Sequence, residues 1–291
     1  MIASYRYLRL AMVIVVATLA ISLVLELVDA GCLLGSISDY YYTPVHAVFI
    51  GSLTVLGVAM IALKGRDTIE DLALNLAGVL APVVAFVPTA RSSSACLAGV
   101  DELVVPQQAL ITNNTVALLL GAALGLAVAY VIAWRQRKVG RIELSPSART
   151  GLVLGALVLV AGVVWYLGWR ETFEQRAHGW AAVLMFVAFW GAVLVNAGWP
   201  AGPLRWVYRV LRAPAPDPLG ASPRYLPLYR AVSVAMAVFA LVAVASLAVT
   251  WDHRIFWLEL AEIAAFGFFW TVQTLEAWDA GPASEVPTSA V

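Results

Sequence analysis

Eight apolar runs dominate the chain, at about 7–29, 44–64, 72–90, 115–134, 148–169, 177–199, 231–250 and 255–276. Each approaches the roughly 20 residues that a helix needs to cross a hydrocarbon core about 30 Å thick. None shows the alternation of a membrane β-barrel strand, and lipid offers no partner to an unpaired backbone amide. The pattern predicts an all-α polytopic transmembrane helical bundle of about eight spans. It forms one membrane domain over 1–279, followed by a small polar tail at 280–291 that is disordered by composition. The third run is the least regular, with Asp71 and Asn75 near one end and Pro82 inside it.

Composition agrees. Hydrophobic residues make up 62% of the chain and charged residues 12%, too little charge for the surface of a soluble globule. Lys and Arg then orient the spans. With both termini cytoplasmic, the inner segments hold fourteen of the eighteen basic residues, leaving only Arg91, Arg170, Arg176 and Arg254 outside, as the positive-inside rule requires. The net charge of zero therefore hides a basic inner face and a mildly acidic outer one. Basic residues spread as topology signals argue against nucleic-acid binding. Sixteen arginines against two lysines, with abundant Ala, Val and Gly, suggest a GC-rich bacterial genome and hence a bacterial plasma (inner) membrane.

The first run is longer than a signal-peptide core, and the DAGC at 29–32 lacks the leucine-like residue of a lipoprotein cleavage box, so it reads as a retained helix. In the proline-rich connection at 200–230, Arg205, Arg209 and Arg212 share one helical face, suited to the inner interface and to anionic lipid. GAALG at 121–125 and GLVLG at 151–155 are small-xxx-small patterns that predict a closely packed hairpin of spans four and five, with homo-oligomerisation as the alternative. The two cysteines, Cys32 and Cys96, both fall outside, where they either pair as a disulfide or remain free thiols.

The densest chemistry lies in SISDYYYTPVH, Ser36 to His46, between the first two spans. It offers Asp39, Tyr40, Tyr41, Tyr42 and Thr43 as ligand-binding candidates. Carboxylates inside spans add to them: Glu259 and Glu262 lie three apart near the outer end of span eight, where such a pair would share a proton or a cation. Glu26, near the outer end of span one, is placed to snorkel to interfacial water. His46, His178 and His253 open spans two, six and eight from the outside. They are candidates for an outward-facing zinc site with Asp39 and Glu259, although no HExxH or HxxxH spacing supports it.

SISDYYYTP at 36–44, FIG at 49–51, EDLALNLAG at 70–78, PT at 88–89, HGWAA at 178–182, and FWLE with AFGFFW within 256–270 together resemble the signature of an uncharacterised bacterial multi-pass membrane family. That family carries an S-x-S-x-Y-Y-Y-T motif after its first helix and F-W-L-E in its last. The resemblance implies one shared outer site of Tyr40, Tyr41, Tyr42, Thr43, His178 and Glu259, and no assigned activity. Position 46 is His where relatives more often carry Arg, which weakens a three-histidine site. Spans four and five look like an addition to a six-helix plan. A looser similarity in style to ceramidase and adiponectin-receptor type hydrolases lacks their terminal HxxxH, so their zinc chemistry is not carried over.

Three function classes follow. The first is an outward-facing pocket that binds a lipid or small molecule. The second is a membrane hydrolase using Glu259 or Glu262 with a metal or His178. The third is a transporter coupled to protons through the two glutamates, for which the sequence shows no internal repeat.

Overall fold

The computed structural model describes residues 2–89, 95–97, 107–138, 146–199, 222–246, 248 and 252–278. Arg205, Arg209 and Arg212 and the tail at 280–291 lie outside the described residues. Eight α-helices are present among those described: α1 (Ile2–Ala30), α2 (His46–Ala62), α3 (Thr68–Phe86), α4 (Gln107–Lys138), α5 (Pro146–Gly168), α6 (Arg170–Asn196), α7 (Leu226–Ser246) and α8 (Arg254–Ala277). Seven are long and apolar enough to cross a membrane, and α2, with 17 residues, is the short one. Their ends meet at two poles. We call the pole that carries the Ser36–His46 knot outer and the opposite one inner, after the charge asymmetry.

The core centres on α3, which packs closely against α6 on one side and α2 on the other, with α1, α7 and α8 completing the ring. The α2–α3 contact is a backbone contact. A Cβ at Gly57 would stand 2.8 Å from the Gly78 carbonyl oxygen, and one at Gly78 would stand 2.7 Å from that of Gly57, so no larger residue fits at either place. Helices α4 and α5 pack on the outside of this ring, against α3 and each other, with their apolar surface largely outward. Their glycine motifs do not interlock as expected. A Cβ on Gly155 would stand 3.4 Å from Leu126, but one on Gly121 or Gly125 would touch nothing within 4 Å.

Two boundaries differ from the apolar pattern for electrostatic reasons. Helix α3 begins at Thr68, before its apolar run, because the Asp67 side chain accepts from the Glu70 amide at 2.8 Å and caps the first turn. Helix α6 begins at Arg170, a polar stretch held by an Arg170–Glu174 pair at 2.9 Å and by buried Phe173. His178 therefore sits two turns inside α6 and does not open it.

The inner pole is braced by charge. Glu70, 1% exposed, accepts with one oxygen from the Asn196 and Gln273 side-chain amides at 2.7 and 2.9 Å, and with the other from the Arg66 amide at 2.6 Å. Arg9 donates to the Gln273 carbonyl oxygen at 2.6 Å and lies over the Trp270 ring. Arg66 forms a two-pronged ion pair with Glu276, which also accepts from the Tyr229 hydroxyl at 2.6 Å. Five helices are laced together by these side chains.

Candidate functional site

The outer knot is built by stitches that begin where α1 stops. Gly31 takes the left-handed conformation (φ +59°) and its amide donates to the Leu27 carbonyl at 3.1 Å, which ends the helix and turns the chain inward. Cys32 then pairs with Cys96 in a disulfide, Cα to Cα 5.8 Å, tying the knot to the segment after α3. A 3-10 turn over Ser38–Tyr42 follows, with every residue buried.

The tyrosines and Thr43 hold this turn together. Tyr40 hydroxyl oxygen accepts from the Leu34 amide at 3.3 Å, and Tyr42 hydroxyl donates to the Thr89 carbonyl at 2.5 Å. Thr43 donates to the Tyr40 carbonyl at 2.9 Å and accepts from the Val45 amide at 3.2 Å. Tyr41 packs edge-on against His46, Tyr42 and Phe49. Burial raises the Tyr40 and Tyr41 hydroxyls above the usual phenol range and the Asp39 carboxyl above the usual carboxylate range, with hydrogen bonds from Ser36 partly opposing the latter. These five side chains, expected as ligand contacts, serve the knot's own architecture.

Two helices reach into the knot. The Phe256 amide, an orphan donor in the first turn of α8, donates to the Gly35 carbonyl at 2.9 Å. The Glu259 carboxylate, one turn on, accepts from the Ile37 amide at 2.5 Å, the Ser38 amide at 3.4 Å and the Ser38 hydroxyl at 3.2 Å. From α6, His178 places Nε2 2.8 Å from Ser38 Oγ and Nδ1 2.7 Å from the Val87 carbonyl. A carbonyl only accepts, so Nδ1 carries a hydrogen and Nε2 faces the serine. Ser38 thus stands between a carboxylate and an imidazole. One proton can sit on Glu259 with neutral His178, or on His178 with ionised Glu259, with the hydroxyl relaying between them at no change in total charge.

Beneath Ser38 and Glu259 runs an otherwise apolar cavity of about 70 Å³, bordered by Leu19, Phe49, Met60, Val84, Phe189 and Phe266 among others. From Phe49 to Met60 it follows eleven residues of α2, roughly 16 Å at 1.5 Å per residue. A volume so small beside lining residues spread over that length makes the cavity a narrow slot.

Glu262 does not join Glu259. It is buried on a neighbouring face of α8, its Oε2 has no hydrogen-bond partner among the described residues, and it does not border the slot. The histidines do not converge either. His46, His178 and His253 each direct Nδ1 to a different carbonyl, of Tyr41, Val87 and Leu34, at 2.6, 2.7 and 3.3 Å. Among the described residues no three metal-ligating side chains come together, so the residues present do not fit the zinc site considered above.

In the sequence Ser38 is one member of the SISDYYYTP motif with no signal of its role. The inner brace was missed as well, because Arg9 and Arg66 read as topology signals and Glu70 as part of a motif. Against protein-family models, curated proteins and solved structures, the chain has no match.

Proposed function

We propose that this multi-pass membrane protein binds a single-chain lipid or similar amphiphile at its outer pole, in a bacterial inner membrane. The polar end meets Ser38, Glu259 and His178, and the chain enters the slot. The observation that carries this reading is the slot's lining: only Ser38 and Glu259 are polar, and they are hydrogen-bonded to each other. A few convergent polar groups over apolar walls are what orients such a ligand. Membership of the resembled family, and anionic-lipid contact through Arg205, Arg209 and Arg212, belong to the same proposal.

A hydrolase reading draws on the Ser38–His178 distance of 2.8 Å, which suits a nucleophile and its base. Binding is favoured because the Ile37 and Ser38 amides, the groups placed to stabilise an oxyanion, are taken by Glu259. The transporter reading needs a coupled Glu259–Glu262 pair, and Glu262 Oε2 has no hydrogen-bond partner among the described residues.

The test is retention of a fluorescent single-chain alkyl amphiphile by purified protein. Ser38→Ala and Leu53→Trp, the second narrowing the slot, should each weaken retention about tenfold, equivalent to 1.4 kcal/mol. Equal retention by both folded variants sinks the proposal. Labelling of Ser38 by a fluorophosphonate, lost in His178→Asn, would instead establish the hydrolase.

A further inference from the structure

A larger hollow lies away from the outer site. Between α2–α3 and α4–α5 the bundle opens into a lateral groove of about 1320 Å³, above the roughly 300–1,000 Å³ of ordinary ligand pockets. Helix α4 lines it from Asn114 to Gln136, about 33 Å at 1.5 Å per residue, enough to traverse the hydrocarbon core. Small residues recur at every fourth position of this wall: Ala117, Gly121, Gly125, Ala129 and Ala133. In membrane helices such a stripe ordinarily brings backbones into contact. Here it faces open space, since a Cβ at Gly121 or Gly125 would meet nothing within 4 Å.

An independent observation concerns the inner end of the groove. Lys64, which is exposed, and Asn75 and Gln136, which are partly buried, border it, and among the described residues their side chains make no hydrogen bond or ion pair. Asp71, the acid beside them, accepts from the Gly65 amide. Asn75 lies within the span of α3, its Nδ2 3.6 Å from where a Cβ on Gly151 would stand. An amide without a partner in hydrocarbon costs several kcal/mol. An ammonium and two carboxamides therefore present N–H donors at one end of an apolar trough. The complement is a molecule with clustered oxygen acceptors, one of them anionic, attached to a long hydrocarbon chain. A transmembrane helix from a second copy fits poorly, because its backbone acceptors are already used within the helix.

We propose that this groove is a binding site for one phospholipid from the inner leaflet. Its phosphate lies at Lys64, its ester oxygens accept from Asn75 and Gln136, and an acyl chain lies along Gly121 and Gly125. The site is separate from the outer slot and does not depend on the function proposed there.

The test uses the full chain in nanodiscs of phosphatidylglycerol and phosphatidylcholine, transferred to detergent, with native mass spectrometry counting the lipid retained. The wild type should keep one phospholipid per chain. Filling the groove with the double variant Gly121→Leu, Gly125→Leu should reduce retention about tenfold, equivalent to 1.4 kcal/mol. Lys64→Gln combined with Asn75→Leu should also reduce it and remove any preference for the anionic lipid. Ser38→Ala should leave it unchanged, which separates this site from the outer one. The proposal is overturned if the wild type releases all lipid, or if the double leucine variant, shown folded by circular dichroism, retains as much as the wild type. Should the leucines prevent folding, undiminished retention by the Lys64 and Asn75 variant overturns it equally. So does disulfide cross-linking of Gly125→Cys between two chains, which would place a second copy in the groove.

Discussion

The outer and inner poles bury similar amounts of polar chemistry and satisfy it in different ways. At the inner pole, Arg9 and Arg66 stand with Glu70 and Glu276, and the amides of Asn196 and Gln273 fill the spaces between them. Opposite charges are matched, and the partners come from helices far apart in the chain. At the outer pole Glu259 has no arginine among the described residues: its partners there are two backbone amides and a serine hydroxyl, with a histidine beyond. The inner arrangement has one low-energy state and works as a strut. The outer arrangement sets a serine hydroxyl between a carboxylate and an imidazole beside a hollow, so two placements of one proton are open to it.

The largest effect expected from this contrast is at Glu70. Glu70→Leu removes at once the acceptor shared by the Arg66 backbone amide and the Asn196 and Gln273 side-chain amides, leaving the last two only their bonds to Ala192 and Asn196, which should destabilise the bundle by about 3–5 kcal/mol, read by thermal unfolding in detergent. If Ser38→Ala destabilised as much, the division into strut and responsive site would fail. Next comes the disulfide. Its 64-residue separation predicts a loss of about 2–4 kcal/mol for Cys32→Ser with Cys96→Ser, and a matching loss in reductant. Two alkylatable thiols in unreduced protein would break the picture of a covalently closed outer pole.

The smallest effect concerns Asp39. Its carboxyl is raised by burial above the ordinary value of 3.8, so the folded state binds the proton more tightly than the unfolded one. Stability is then full below 3.8 and falls as pH rises through the folded value. Asp39→Asn should raise the Tm at neutral pH and converge with the wild type near pH 3. An unchanged difference across that range would show that the carboxyl is not what burial acts on.

Much of the scaffold could be read from apolar run lengths, because a membrane span is a local property of about 20 residues. The cysteine pair was legible as one of two options, since the topology put both thiols on one side. The position of His178 was misread by two turns: an Arg170–Glu174 pair extends α6 through residues too polar to count as a span. Tyr40, Tyr41 and Tyr42 stand out in the sequence, yet their partners are the Leu34 amide, the Thr89 carbonyl and neighbouring rings, which no side-chain pattern reveals. The same reason hid Ser38. Its role depends on Glu259 and His178, 221 and 140 residues away. The inner brace was illegible because positive-inside counting treats each arginine as a topology signal, whereas Arg66 pairs across 210 residues.

Helix α2 has only 17 residues, about 25 Å of rise against a hydrocarbon core of about 30 Å. A helix this short is met by local thinning of the bilayer or by drawing its flanking segment below the headgroups. The flanking segment is the knot, whose residues from Ile37 to Thr43 are buried. In the binding role proposed above, a knot drawn below the headgroups would let the ligand arrive sideways from the leaflet, at a concentration set by its partition into the membrane and not by its solubility in water.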